Sequence, residues 1–299
     1  GPNYSYIARD AHYGAGLEAG GPDMSFRLNA PGQVMLRKRG AMYLLATQAG
    51  DITLNLRELM QPWLGGVTVE QRTGDGWAPV GAALEGDTVR FAVNPATPYR
   101  VSLPRATDPA APRGDCRYFP ETQHNLCGAF RAYWERNGGL ALFGYPISEE
   151  FRELNRNEGN TYTVQYFERN RFEYHPELAG TQYEVLLGLL GNDLTSNRRS
   201  EGPFQPVGGP PPGADFYPET GHSLGGAFRA YWQRHGGLAV FGYPTSEEFR
   251  EYNPADGKTY TVQYFERNRF EYHPELAGTQ YEVLLGLLGN QIVDANGWR

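Results

Sequence analysis

Residues Thr161–Gly191 read TYTVQYFERNRFEYHPELAGTQYEVLLGLLG, and the same 31 residues return unaltered as Thr259–Gly289. The likeness extends outward. Tyr118–Gly191 aligns with Phe216–Gly289 at a constant offset of 98 positions without a gap, and 60 of the 74 aligned positions are identical. Repetition this faithful marks duplication of one folding unit. Two equal copies favour a binding or spacing role over catalysis, because one active site seldom needs a twin.

Within each copy the patterning is mixed. Asn125, or Ser223 in the second copy, stands as N-cap of a helix running to about Arg136 and closed by Gly138. Leu126, Phe130, Tyr133 and Trp134 fall on one stripe of that helix. The spacing of Thr245-Ser246-Glu247-Glu248 predicts a capping box opening a short helix. Thr161–Glu168 and Arg171–His175 read as a hairpin turning at Arg169-Asn170, with Phe167 facing Phe172 and Gln165 facing Tyr174. Tyr183–Leu190 reads as a short apolar helix beneath it.

Outside the copies, Met24–Asn29, Val34–Arg39, Ile52–Leu56, Val67–Arg72, Thr88–Val93 and Arg100–Leu103 alternate like strands, with turns at Gly74-Asp75-Gly76 and Glu85-Gly86-Asp87. The expected architecture is therefore multi-domain: an N-terminal all-β sandwich followed by two tandem α+β modules of helix, β-hairpin and short helix. The expected boundaries are 1–23 as an irregular start, 24–104 as the sandwich and 105–115 as a linker. Module one then spans 116–191, a Pro/Gly-rich linker 192–214, module two 215–290 and a tail 291–299. Proline in the second linker is expected to hold the copies apart, each folding alone. Gly1-Pro2, without an initiating Met, reads as the remnant of tag cleavage on a piece of a longer protein.

The net charge is −7 with no basic run, which disfavours a nucleic-acid partner. No segment approaches the roughly 20 apolar residues of a membrane span. The two cysteines, Cys116 and Cys127, are both replaced in the second copy, by Ala214 and Gly225. Paired presence and paired absence is expected of a disulfide, which points to an oxidising, extracytoplasmic compartment. The alternative is two unrelated buried thiols.

The string Leu140–Phe151, LALFGYPISEEF, followed by Val164-Gln165-Tyr166-Phe167-Glu168, resembles the motif of LGFP repeats of secreted bacterial proteins, and Gly242–Glu248, GYPTSEE, is closer still. The resemblance covers about half the chain and implies attachment to cell wall or other polysaccharide beside catalytic domains such as acyltransferases, amidases or peptidases.

Candidate ligand residues follow from the hairpin. Its more polar face carries Tyr162, Tyr166, Glu173 and His175, repeated as Tyr260, Tyr264, Glu271 and His273. Tyrosine rings stack on the apolar C–H faces of sugars while carboxylates accept hydroxyl hydrogen bonds. The competing reading is an ordinary sheet face, or one covered by the C-terminal helix, which the frequency of half-buried tyrosines favours slightly. Trp134 and Trp232 sit on the helix stripe, which favours core packing over a sugar platform.

Enzyme signals are weak. His124-Asn125 and His222-Ser223 lack a nucleophile elbow, and the serine occurs in one copy only. Adjacent Glu149-Glu150 does not by itself flank a scissile bond. His175-Pro176-Glu177 offers two donors, short of a zinc set, and no calcium-loop spacing occurs. The reading is a non-catalytic, monomeric, extracellular or cell-surface region that binds polysaccharide, without cofactor or metal. The alternatives are a fragment of an extracellular glycoside hydrolase or peptidase, and a structural spacer or adhesin contacting protein.

Overall fold

The computed structural model describes residues 49–55, 67–74, 76–85, 88–102, 104–155, 159–253 and 256–298, with backbone alone for 6–9, 17–21, 24–28, 32–36, 41–46, 54 and 55. The fold is mostly β, made of several small antiparallel sheets, with six α-helices among the described residues. The chain forms two compact units. One comprises residues up to Asp108 with Phe151–Thr161 and Trp298; the other comprises Pro109–Glu150 and Tyr162–Gly297.

The first unit contains β1 (Tyr6–Arg9), β2 (Leu17–Gly21), β3 (Met24–Leu28), β4 (Gly32–Leu36), β5 (Ala41–Ala46) and β6 (Gly50–Asn55). It continues with β7 (Thr68–Thr73), β8 (Gly76–Pro79), β9 (Ala82–Glu85), β10 (Thr88–Val93) and β11 (Pro98–Ser102). They make a six-stranded sheet, β1-β4-β5-β11-β7-β8, and a five-stranded one, β2-β3-β6-β10-β9. Alternation drives burial: Val89, Phe91 and Val93 of β10 are buried while the residues between them are exposed. Phe91 meets Tyr99 of the other sheet with ring centroids 5.9 Å apart.

Each expected strand forms within a few residues of its reading. β1 and β2 lie where an irregular start is expected, and β5, β8 and β9 are further strands. Those segments carry no alternation to read: β5 is a continuous apolar run and β9 is exposed throughout. The expected turn positions Asp75, Gly86 and Asp87, and the strand ends Asn29, Arg39, Leu56 and Leu103, lie outside the described residues.

Each repeat copy runs through the same elements. The first has β12 (Arg117–Phe119), β13 (His124–Leu126), α1 (Gly128–Arg136), α2 (Gly139–Phe143), β14 (Phe151–Asn155), β15 (Asn160–Tyr166), β16 (Arg171–Tyr174), β17 (Val185–Leu187) and α3 (Leu190–Thr195). The second has β18 (Asp215–Tyr217), β19 (His222–Leu224), α4 (Gly226–Arg234), α5 (Gly237–Phe241), β20 (Phe249–Asn253), β21 (Lys258–Tyr264), β22 (Arg269–Tyr272), β23 (Val283–Leu285) and α6 (Leu288–Ala295). In the second copy β20-β21-β22-β23 form one antiparallel sheet, and β15, β16 and β17 pair in the same way.

Four local expectations change. α1 begins at Gly128, and Asn125 belongs to the preceding strand with its side chain buried, so it caps no helix. The hairpin turns at Glu168-Arg169, closed by Phe167 N–H donating to the Asn170 carbonyl at 2.8 Å, so Gln165 faces Phe172 and Thr163 faces Tyr174. A two-residue slip preserves which face each side chain occupies, and the Phe167 and Phe172 rings still pack at 4.2 Å. Val185–Leu187 is a strand pairing with β16, and the helix begins only at Leu190; a short apolar run does not distinguish the two by period. Thr245-Ser246-Glu247-Glu248 opens no helix: Thr245 N–H donates to the Tyr264 carbonyl at 2.8 Å, the Ser246 hydroxyl accepts the Tyr264 N–H at 2.9 Å, and β20 follows at Phe249.

The copies are not held apart. One continuous apolar core contains Phe130, Phe143, Phe167 and Phe172 together with their counterparts Phe228, Phe241, Phe265 and Phe270. α3 packs on α6, with Gly191 against the Phe265 carbonyl and Gly289 against the Phe167 carbonyl. Asn192 N–H donates to the Glu266 carbonyl at 3.1 Å, and Asn290 N–H to the Glu168 carbonyl at 3.2 Å. The Asn170 and Asn268 amides donate to each other at 3.4 Å in both directions.

The segment between the copies is also no free spacer. Arg198 reaches Glu251 at 2.6 Å, Phe204 packs 5.6 Å from both Phe249 and Tyr264, and Val207 N–H donates to the Gly221 carbonyl at 2.8 Å. The proline-rich composition predicts an extended backbone, but apolar anchors along it find a surface to cover.

Candidate functional site

The hairpin residues expected to form a ligand face are brought together in both copies, and the chain itself buries them. Tyr166 is 1 % exposed and Tyr264 3 %; Glu173, His175, Tyr260, Glu271 and His273 are buried, and Tyr162 is half-buried. Alternation places them on one face of β15–β16 and β21–β22. There Arg171 pairs with Glu173 and lies 3.3 Å from the Tyr166 hydroxyl, and Arg269 pairs with Glu271 and lies 3.2 Å from the Tyr264 hydroxyl. In the second copy that hydroxyl donates to Glu251 at 2.8 Å while Phe204 and Arg198 lie over the ring.

The histidines are sandwiched rather than open. His175 stacks on Tyr162 with centroids 4.3 Å apart, its Nδ1 lies 2.8 Å from Glu177 and its Nε2 3.9 Å from Glu173; His273 repeats this with Tyr260, Glu275 and Glu271. The Glu177 and Glu275 carboxyls are held below their ordinary range by their own backbone N–H groups and then by the histidine beside each. Once buried, a carboxylate needs a cation and a hydroxyl needs an acceptor, and here each finds its partner inside the fold. The expectation of a solvent-facing sugar platform is thus corrected. The face is an internal polar layer, in keeping with the competing reading of a covered sheet face; in the second copy the covering residues, Arg198 and Phe204, come from the segment between the copies.

The Gly-Tyr-Pro-x-Ser-Glu-Glu segment is likewise structural. Trp134 Nε1–H donates to the Gly144 carbonyl at 3.0 Å, and Trp232 does the same to Gly242. Glu149 is buried and accepts the Asn125 N–H at 2.7 Å, whereas Glu150 is exposed. Gln165 Nε2 donates to the Asn125 and Ser148 carbonyls, both at 2.7 Å, tying three segments together. In the second copy Ser223 donates through its hydroxyl to Glu247, and His222 approaches the same carboxylate at 3.2 Å. A serine hydrogen-bonded to the carboxylate and not to the histidine is not arranged for nucleophilic attack. No group of three or more His, Cys, Asp or Glu side chains placed to hold a metal occurs among the described residues.

What both copies present at an equivalent position is a tyrosine that the sequence reading did not single out; Tyr252, 61 % exposed, is exposed in the second copy alone, where the first has Leu154. Tyr183 is 52 % exposed and Tyr281 53 %. Each sits in a stapled loop: the Thr181 hydroxyl donates to the Leu178 carbonyl at 2.7 Å and accepts the Tyr183 N–H at 3.1 Å, while Gly180 N–H donates to Glu184 at 3.3 Å. Thr279, Tyr281, Gly278 and Glu282 repeat the same bonds at 2.7, 3.1 and 3.2 Å. Gly180 and Gly278 have φ of +79° and +78°, a left-handed conformation that suits glycine. The readable signal is Gly-Thr-x-Tyr immediately before an apolar strand.

No known protein family, curated protein or solved structure matches this chain. A half-exposed ring on a loop fixed by three side chain–backbone bonds in each copy is a preorganised apolar surface with Thr, Gln and Glu beside it. The disulfide between Cys116 and Cys127 is formed and anchors the entry to α1 in the first copy. No helix among the described residues is long and apolar enough to cross a membrane.

Proposed function

We propose that this chain is a non-catalytic accessory region of a secreted bacterial protein, binding cell-wall or other polysaccharide through two LGFP-like modules. In this reading the N-terminal β unit is a separate domain and the two modules act as one double module in a monomer at the cell surface. The observation that carries the reading is the pair of exposed tyrosines, Tyr183 and Tyr281, each held by an identical stapled loop. A ring fixed before binding stacks on a sugar face with little ordering cost, and Gln182 and Glu184 supply hydrogen-bonding groups beside it. The disulfide supports the extracytoplasmic placement. The resemblance of Leu140–Phe151 to LGFP repeats supports the substrate class.

The test is retention of the chain on insoluble cell-wall polysaccharide, compared with a Tyr183→Ala/Tyr281→Ala double variant. Loss of retention with melting unchanged is expected, because surface truncations usually alter stability by no more than about 0.5 kcal/mol. No retention of the parent protein, at concentrations suited to weak binding, overturns the proposal.

A further inference from the structure

We infer that the two copies grip two separate glycan strands, so that the protein bridges strands instead of clamping one strand twice. This rests on the polysaccharide-binding reading above, with Tyr183 and Tyr281 making the contact.

The inference comes from the symmetry of the interface. The backbone and amide contacts between the copies occur twice with the roles exchanged; one side-chain bond does not, Arg267 Nε donating to the Leu187 carbonyl at 3.2 Å while Arg169 Nε makes no such bond. Gly191 meets Phe265 as Gly289 meets Phe167. Asn192 donates to Glu266 as Asn290 donates to Glu168, and Asn170 pairs with its own counterpart, Asn268. Reciprocal pairing of one surface with itself is the signature of a two-fold relation; a head-to-tail array would set one surface of the first copy against a different surface of the second. The chain thus encloses a pseudo-dimer, rotated by a half-turn and not translated.

A half-turn has a consequence for a ligand with direction. A glycan strand has distinct reducing and non-reducing ends. Residues Thr161–Gly191 and Thr259–Gly289 are identical, so the two loops carry the same groups in the same geometry and prefer the same strand direction. An open, directed strand passing through both sites would be mapped by the half-turn onto itself reversed. It would therefore meet the second site in the wrong direction, whichever way it crosses the first. The copies cannot swivel to correct this, because they share one apolar core and the connecting segment is pinned at Arg198, Phe204 and Val207. A stiff strand satisfies one site only, and the second site remains for another strand.

The experiment uses the full chain with solubilised bacterial cell-wall glycan strands fractionated by length, following binding by titration and assembly by light scattering. Bridging predicts an affinity per site that stays level with strand length. Particle size should rise to a maximum at intermediate protein-to-glycan ratios and fall again in protein excess. The Tyr281→Ala variant should still bind but lose the growth in size. An affinity that climbs by about a hundredfold or more once strands are long enough to reach both copies, without growth in size, is the avidity of one strand on two sites and overturns the inference. Growth that persists in the Tyr183→Ala/Tyr281→Ala variant also overturns it. Failure to bind strands of any length is a separate result, sinking the polysaccharide reading beneath it.

Discussion

The two copies differ most where they begin and least where they meet. In the first, Cys116 and Cys127 close the turn before α1 covalently; in the second, Ala214 and Gly225 occupy those places, and a Cβ built at Gly225 would lie 3.3 Å from the Ala214 Cβ. The backbone path is kept without the bond. Asn125 offers its N–H and side-chain amide to Glu149, while Ser223 offers its N–H and hydroxyl to Glu247. Two different side chains satisfy the same buried carboxylate, so it is the acid, not its partner, that the fold requires. By contrast, the residues at the shared interface are the same in both copies, because an isologous surface must fit itself.

The comparison breaks first at the buried tyrosines. Tyr166→Ala and Tyr264→Ala should each cost about 3–5 kcal/mol in urea unfolding, as large aromatic-to-alanine cavities do. Both should lower a single transition, since the copies share a core. Two separated transitions, or a loss near zero, would mean that the copies fold independently or that this face is open.

Next come the interface glycines. Gly191→Ala and Gly289→Ala each push a methyl into a backbone carbonyl that no side-chain rotation can relieve. A cost of about 3 kcal/mol is expected for each, equal in the two copies, with an increased radius in small-angle scattering. A large effect at one glycine alone would contradict the two-fold relation. Smaller still is the loop bond: Ala214→Cys with Gly225→Cys should form a second disulfide and raise stability by about 2 kcal/mol, reversed by reductant. Failure to oxidise would show that the turns of the two copies differ more than their backbones indicate.

The gentlest probe is alkaline titration at the two central tyrosines. Burial pushes the Tyr231 hydroxyl up to about 12, opposed by Arg169 across the interface, and raises Tyr133 likewise against Arg267. A pKa higher in the folded state means the proton is held more tightly there, so this contribution is complete below the unfolded value of about 10 and is lost as pH climbs toward 12. Tyrosinate absorbance should develop late, and Tyr231→Phe should flatten that part of the stability profile. Early ionisation of both would mean that the copies part readily.

Much of this was legible. The alternation of Thr88–Val93, the Phe167–Phe172 contact, the buried Trp134 and the Cys116–Cys127 bond all follow from period, spacing and the paired loss of two thiols. The helix start was misplaced because Asn125, a good cap by type, is claimed by the buried Glu149. Arg169-Asn170 has turn chemistry, yet the turn shifts one residue back to close the Phe167–Asn170 bond.

The sequence by itself determined the unit of construction: a duplicated α+β module, its hairpin faces and its disulfide, because these depend on local period and on neighbours a few residues away. Only the tertiary structure decided that the modules dock by a half-turn into one core, and that the tyrosine–carboxylate face lies inside while Tyr183 and Tyr281 stand outside. Those outcomes depend on which distant segments reach a surface first and exclude water from it. No periodicity within a single copy records that.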